Sequence, residues 1–312
     1  MKFGLQHPNF SYDGREIIEN LKQVVLRAEN LGFDSFWVMD HFHQISMVGE
    51  PSEPMLEGWT TQAAVCGFTS KIRLGTLVTG VIYRYPSILA KIGATLDVLS
   101  GGRSFMGIGA AWNEEESRAY GIPFPSVSER FERLDEALQI IHKMWTEDHA
   151  TFIGKYYQIK DAYCNPKPLQ KPHPPILIGG TGERKTFRLV AKYGDACNLF
   201  GSPDTIRKKL AILRERCREV NREYGTILKT KLGHVIIASD KNKVEKMLAE
   251  EFKNVSSEMR SEFVIFGTPE EVRRQVEAFR DSGIEYLIVS LPPSQELEQL
   301  ELFAREVASK LN

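Results

Sequence analysis

The amino-acid sequence predicts an α/β chain folded as one parallel (β/α)8 barrel, and three observations carry that prediction. Short apolar runs at residues 2–6, 35–39, 73–79, 104–108, 176–178, 196–200, 234–238 and 286–290 alternate with longer amphipathic stretches from one end of the chain to the other. Eight such runs over 312 residues average roughly 39 residues each, close to a barrel of about 250 residues carrying insertions. The runs are continuously apolar rather than alternating, as strands buried on both faces should be. Residues 1–312 are read as a single domain.

Taken in order, the first run ends in Gln6-His7 and the second in Asp40-His41-Phe42-His43. The third, 73–79, leads through Gly80 into VIYRYP, and the fourth passes into Gly109-Ala110-Ala111-Trp112-Asn113-Glu114-Glu115-Glu116. Ser126 and Glu129 then form an S-x-x-E capping box ahead of Phe131, Leu134, Leu138, Ile141 and Trp145, whose three- and four-residue steps make one apolar helical stripe. Residues 146–175 break the repeat. There, 150–153 and 156–159 flank Gly154-Lys155, which suits a two-residue hairpin turn, and the proline-rich CNPKPLQKPHPP follows. An insertion of this kind serves as a lid or a dimer contact. The fifth run enters Gly179-Gly180-Thr181-Gly182 and then a helix. The sixth precedes a mixed-sign charged stretch, 208–223, read as a solvated helix face. The seventh places His234 at its start. Thr268, Pro269 and Glu271 make a second capping box with proline at the first helical position, and the eighth run closes the series.

Composition narrows the function classes. With 40 Lys+Arg against 41 Asp+Glu the formal charge is −1, and a near-neutral chain lacks the positive field that nucleic-acid and membrane-surface binding require. No apolar run approaches the roughly 20 residues of a membrane span, and MKFGLQHPNF is too polar for a secretory signal, so a cytoplasmic location is expected. Cys66, Cys164, Cys197 and Cys217 are scattered without a C-x-x-C pair, which fits reduced core thiols.

In such a barrel the chemistry lies just past the carboxyl ends of the strands. A strand running into G-G-T-G and then a helix leaves bare backbone N–H groups at the positive end of the helix dipole, a site for a phosphate. Arg184, Lys185 and Arg188 add charge around it. The alternative is a glycine-rich turn with no ligand. GIGAAW does not satisfy G-x-G-x-x-G, so a Rossmann dinucleotide site is not expected. His41 and His43 make an H-x-H, but later strand ends offer too few ligands to complete a metal site, and no metal is expected. His41 is the candidate for proton transfer, because a histidine titrates near neutral pH. Asp40 beside it is suited to fixing its tautomer or to contacting a ligand ring.

Taken together, FDSFWVMDHF, RLGTLVTGVIYRYP, GGRSFMGIGAAWNEEE, GIPFPSVSERFERLDEALQII and PPILIGGTGERKTFRLVAKYGDACN resemble the bacterial luciferase-like monooxygenase superfamily, and most of all its coenzyme F420-dependent oxidoreductase branch. The resemblance covers nearly the whole chain and fades in the last third. It implies a TIM barrel of the bacterial luciferase-like type with an insertion around 146–175, a deazaflavin ring across the barrel mouth, and hydride transfer at the deazaflavin carbon. By the same resemblance, Asp40 and His41 stand where the family holds the ring and places a proton donor or acceptor. Leu77-Val78 stands where members hold a non-prolyl cis peptide behind the ring. Thr79, Gly109, Ala110 and Ala111 line the cofactor channel, and Gly179, Gly180, Thr181 and Gly182 make the phosphate turn. At Ile45 and Trp112, both assigned to the substrate pocket, the sequence departs from members that oxidise a sugar phosphate or a secondary alcohol, so those substrates are not carried over. Trp112 then reads as a stacking wall for a ring or apolar substrate, or else as a core residue under the insertion.

The expectation is an F420-dependent oxidoreductase acting on a small organic substrate, with a homodimer and no nucleic-acid or membrane partner. Its rivals are an FMN-dependent monooxygenase served by a flavin reductase, and a non-catalytic flavin-binding relative.

Overall fold

The structure is a computed structural model and describes residues 1–10, 14–180, 182–252 and 262–311. Eight parallel strands close a ring: β1 (Lys2–Gln6), β2 (Ser35–Val38), β3 (Arg73–Thr76), β5 (Ser104–Gly109), β8 (Ile176–Gly179), β9 (Ala196–Leu199), β10 (Leu228–Ile237) and β12 (Tyr286–Ser290). Leu228 pairs with Ala196, and Lys2 pairs with Tyr286 to complete the circle. Six of the eight expected runs match these strands to within a residue at either end.

Two apolar layers hold the barrel. Inside it pack Trp37, Phe105, Leu177, Ala196, Tyr286 and Ile288; outside it a larger core joins strands to helices. Each large side chain buried this way contributes roughly 1.5–3 kcal/mol. The inner layer depends on Gly75, where an added Cβ would stand 2.4 Å from the Trp37 ring. On the outer layer, Leu134, Leu138, Ile141 and Trp145 of α5 (Val127–Thr146) are buried as the stripe predicts. Ser126 caps that helix by accepting the Glu129 N–H, but the Glu129 carboxylate turns to Arg133 instead of completing the box. The box of Thr268 and Glu271 is complete at the start of the helix Pro269–Asp281. The four cysteines are buried and free. Among the described residues no helix is long and apolar enough to cross a membrane.

Four expectations need correction. The third run is not one strand: it breaks at Leu77 and Val78 and resumes as β4 (Thr79–Gly80), which pairs with the end of β5. His234 lies within β10, not at its start, because Lys229 and Lys231 hide a strand inside LKTKLG. Both lysines are buried on its helix-facing side, and Lys231 donates to the Glu262 carbonyl at 3.1 Å above the Phe279 ring. An unforeseen strand, β11 (Val264–Gly267), pairs with the last four residues of β10, reaching beyond the β10–β12 pairing. In the insertion, β6 (His149–Ile153) and β7 (Gln158–Tyr163) do form an antiparallel hairpin, but four residues connect them where two were expected. The Glu136 carboxylate accepts the backbone N–H groups of Lys155, Tyr156 and Tyr157 and so shapes the longer loop.

Candidate active site

A cavity of about 520 Å³ opens at the carboxyl ends of the barrel strands. It gathers residues far apart in the chain: His41 after β2; Leu77, Val78 and Thr79 at the break in the third strand; Gly109, Ala110, Ala111 and Trp112 after β5; and Gly179, Gly180 and Gly182 after β8. The Leu77–Val78 peptide bond is cis. Val78 packs against two of the glycines: a Cβ on Gly179 would stand 2.9 Å from its side chain, and one on Gly109 3.1 Å. Trp112 is 57% exposed at the rim, its ring edge-on to His41 at 5.6 Å between centroids. It is therefore a wall of the mouth and not a core residue. Ala111 beside it has φ of +62°, a left-handed conformation uncommon outside glycine.

His41 is held from behind. Its Nδ1 lies 2.7 Å from the Glu116 carboxylate, which is fully buried on α4 (Glu114–Ala119). The same carboxylate accepts the Tyr83 hydroxyl at 2.7 Å and the backbone N–H groups of Phe42 and, at 3.4 Å, His43. Burial opposes ionisation of Glu116, but His41 and the other donors outweigh it and hold its carboxyl below the ordinary value. Burial and the adjoining carboxylate push the Tyr83 phenol up, so it stays protonated. Neither Glu116 nor Tyr83 was singled out by sequence reasoning. The only signal for Glu116 is register: Asn113 caps α4 by accepting the Glu116 N–H at 3.2 Å, which turns this one of three consecutive glutamates inward.

At the other end of the cavity, β8 runs through the glycines into α6 (Lys185–Tyr193). Gly180 has φ of +136°. The Thr186 hydroxyl, on the first turn of α6, is buried, lines the cavity and has no partner among the described residues. It is a further polar group that the sequence reading missed. Arg130 also reaches the cavity, stacked on Phe124 and donating to the Ala110 and Pro125 carbonyls. On β9, Asn198 lines the cavity and accepts from Thr230 at 3.0 Å. Arg184, Lys185 and Arg188 lie in a separate surface pocket with Arg216.

Two expected residues fall elsewhere. Asp40 does not line the cavity. It is fully buried behind the wall, where Arg84 grips both carboxylate oxygens at 2.6 and 2.9 Å and also binds Glu57. Burial pushes the Asp40 carboxyl up against the pull of Arg84. Its link to the cavity runs through Thr79, whose hydroxyl also accepts the Trp59 indole N–H at 2.8 Å. Ile45 is buried away from the cavity lining, in the turn after β2. Thr181 lies outside the described residues.

A parallel barrel with a mouth cavity, a buried histidine at one end and, at the other, a glycine turn beside a hydroxyl unpartnered among the described residues defines a ligand-binding barrel of the enzyme type. The sequence pattern of luciferase-like monooxygenases matches residues 1–253. The chain belongs to the luciferase-like monooxygenase family. It is similar to the F420-dependent glucose-6-phosphate dehydrogenase of Amycolatopsis mediterranei, at 27% identity over 100% of this chain and 98% of that protein. It is also similar to the enzyme of the same name from Kineococcus radiotolerans, at 29% identity over 93% and 92%. A solved F420-dependent secondary alcohol dehydrogenase in complex with an F420-acetone adduct shares the fold, with a TM-score of 0.83 at 23% identity over 99% of this chain and 98% of that one.

Proposed function

We propose that this chain is an F420-dependent oxidoreductase that moves a hydride between the deazaflavin and a small organic substrate, with His41 handling the accompanying proton. The observation that supports it most is where the cavity keeps hydrogen-bonding capacity unused. Asp40 is engaged by Arg84, Thr79 by Trp59 and Asp40, and the Tyr83 proton by Glu116. His41 is bonded through Nδ1 to Glu116 and Asn198 through its carboxamide oxygen to Thr230, while the buried Thr186 hydroxyl has no partner among the described residues. Between the His41 end and the Thr186 end run Leu77, Val78, Ala110 and Phe131. That pattern suits an elongated ligand with a flat apolar body and an anionic terminus.

The residues present fit the group. Gly109 and Gly179 leave the space that a Cβ would fill beside Val78, where a ring can lie on the backbone. The Thr186 hydroxyl and the backbone N–H groups of the glycine turn would hold the phosphate. Val78, Thr79, Gly109, Ala110 and Ala111 would flank the ring. When bound, the deazaflavin supplies the hydride carrier. His41 gives or takes the proton at Nε2, because its Nδ1 is occupied by Glu116. Trp112, edge-on to His41, screens the reacting end from water and gives an apolar substrate a face to rest on.

The test is a pair of titrations of the protein, one with F420 and one with FMN, followed by ring fluorescence and visible absorbance. F420 should bind clearly more tightly. Tight FMN binding without F420 affinity would replace this reading with the flavin-dependent monooxygenase.

A further inference from the structure

We propose that Glu116 is the positioning residue for His41: it keeps the imidazole proton on Nδ1 and turns Nε2 to the cavity. The inference rests on the role given to His41 above.

It follows from counting donors. Four groups converge on the buried carboxylate: the His41 ring, the Tyr83 hydroxyl and two backbone N–H groups. A protonated carboxyl could donate only to the ring or the phenol and would lose an accepting position, and the donors around it hold the carboxyl below its ordinary value instead. The ionised carboxylate is acceptor-only, so Nδ1 must carry a hydrogen and Nε2 is the ring position left to exchange a proton with a ligand. A carboxylate 2.7 Å away fixes the ring plane as well, so Nε2 stays aimed at the same place whichever way the proton moves. The groups packed around the ring leave that task to Glu116. Asp40, next in the chain, is occupied by Arg84; His43 turns its Nδ1 to the Gln44 carbonyl at 2.9 Å; Tyr83 is neutral; Trp112 contributes only its edge. Glu116 itself is absent from the cavity lining, so it acts through His41 and not on a ligand.

The experiment uses the full chain with 15N-labelled histidine, its His41 signals identified by their loss in His41→Asn. In the wild type, Nδ1 should be the protonated nitrogen of the neutral ring. In Glu116→Gln, the isosteric amide offers N–H donors where an acceptor stood. The ring should shift toward the Nε2–H tautomer. Glu116→Asp, with its anion withdrawn by one methylene, should populate the Nε2–H tautomer to a degree between the two, and it decides the matter alone if the glutamine variant does not fold. F420 affinity should stay within about threefold of wild type in both variants, while turnover in Glu116→Gln falls by about 10²-fold and in Glu116→Asp by less, in step with the loss of the Nδ1–H tautomer. A folded variant whose His41 tautomer matches the wild type overturns the proposal. Failure of the wild type to bind F420 would sink the functional reading instead and leave the NMR result standing.

Discussion

Gly180→Val puts the anion site at risk in a way that separates folding from binding. Gly180 sits at φ of +136°, where L side chains are rarely found, and an added Cβ would stand 3.2 Å from the Thr186 hydroxyl oxygen and 3.5 Å from its methyl. Forcing a β-branched residue into that conformation costs roughly 1–3 kcal/mol. An unfolding entropy of about 2.1 cal/mol/K per residue scales to roughly 0.65 kcal/mol/K over the chain, so the melting temperature should drop by about 2–5 °C. The effect on binding should be larger. The valine methyls would occupy the space in front of Thr186 and the turn, removing one or two hydrogen bonds to an anion. At about 1.5–3 kcal/mol each, losing one of them raises Kd roughly 10- to 150-fold, and losing both raises it further. Gly101→Ala is the matched control. Its φ is +70° with nothing within 4 Å, and it lies before β5, at the end of that strand opposite Gly109. It should lower the melting temperature without touching affinity. Thermal denaturation and fluorescence titration with F420 measure the two quantities. A folded Gly180→Val protein with wild-type affinity would refute the argument and place the phosphate elsewhere.

Two further outcomes follow from the other end of the cavity. His41→Ala should lower turnover by roughly 10²-fold with F420 affinity within about threefold of wild type, the pattern of a lost general acid or base; a matching loss of binding would make His41 a binding residue instead. Asp40→Ala should act on stability before affinity, because it strands a guanidinium that keeps only Glu57. Breaking a buried pair costs about 3–5 kcal/mol, and with Glu57 still in place about 2–3 kcal/mol is expected, a fall of roughly 3–5 °C in melting temperature. Weakened F420 binding at an unchanged melting temperature would return Asp40 to the cavity wall.

What the sequence made legible, and what it hid, divide along a physical line. Runs such as 2–6 and 286–290 could be read because burial on both faces leaves a continuous apolar signature, and the glycine turn because a missing side chain is a local statement about backbone. β10 was half hidden because its buried lysines make helix-facing positions look solvated; their apolar stems pack while each nitrogen finds a carbonyl, carboxylate or ring, and no local window contains the partner. Asp40 was placed at the cavity for a related reason. A carboxylate at a strand end looks available until Arg84, 44 positions on, takes both of its oxygens. Glu116 shows the reverse case. One glutamate among three is indistinguishable by composition, and only the Asn113 cap sets which of them turns inward to meet a histidine 75 residues earlier. The residues that face a ligand were therefore largely readable from the strand ends. Those that set the protonation and orientation of the facing residues were not, because their role is defined by contacts between strands and helices that the chain brings together only on folding.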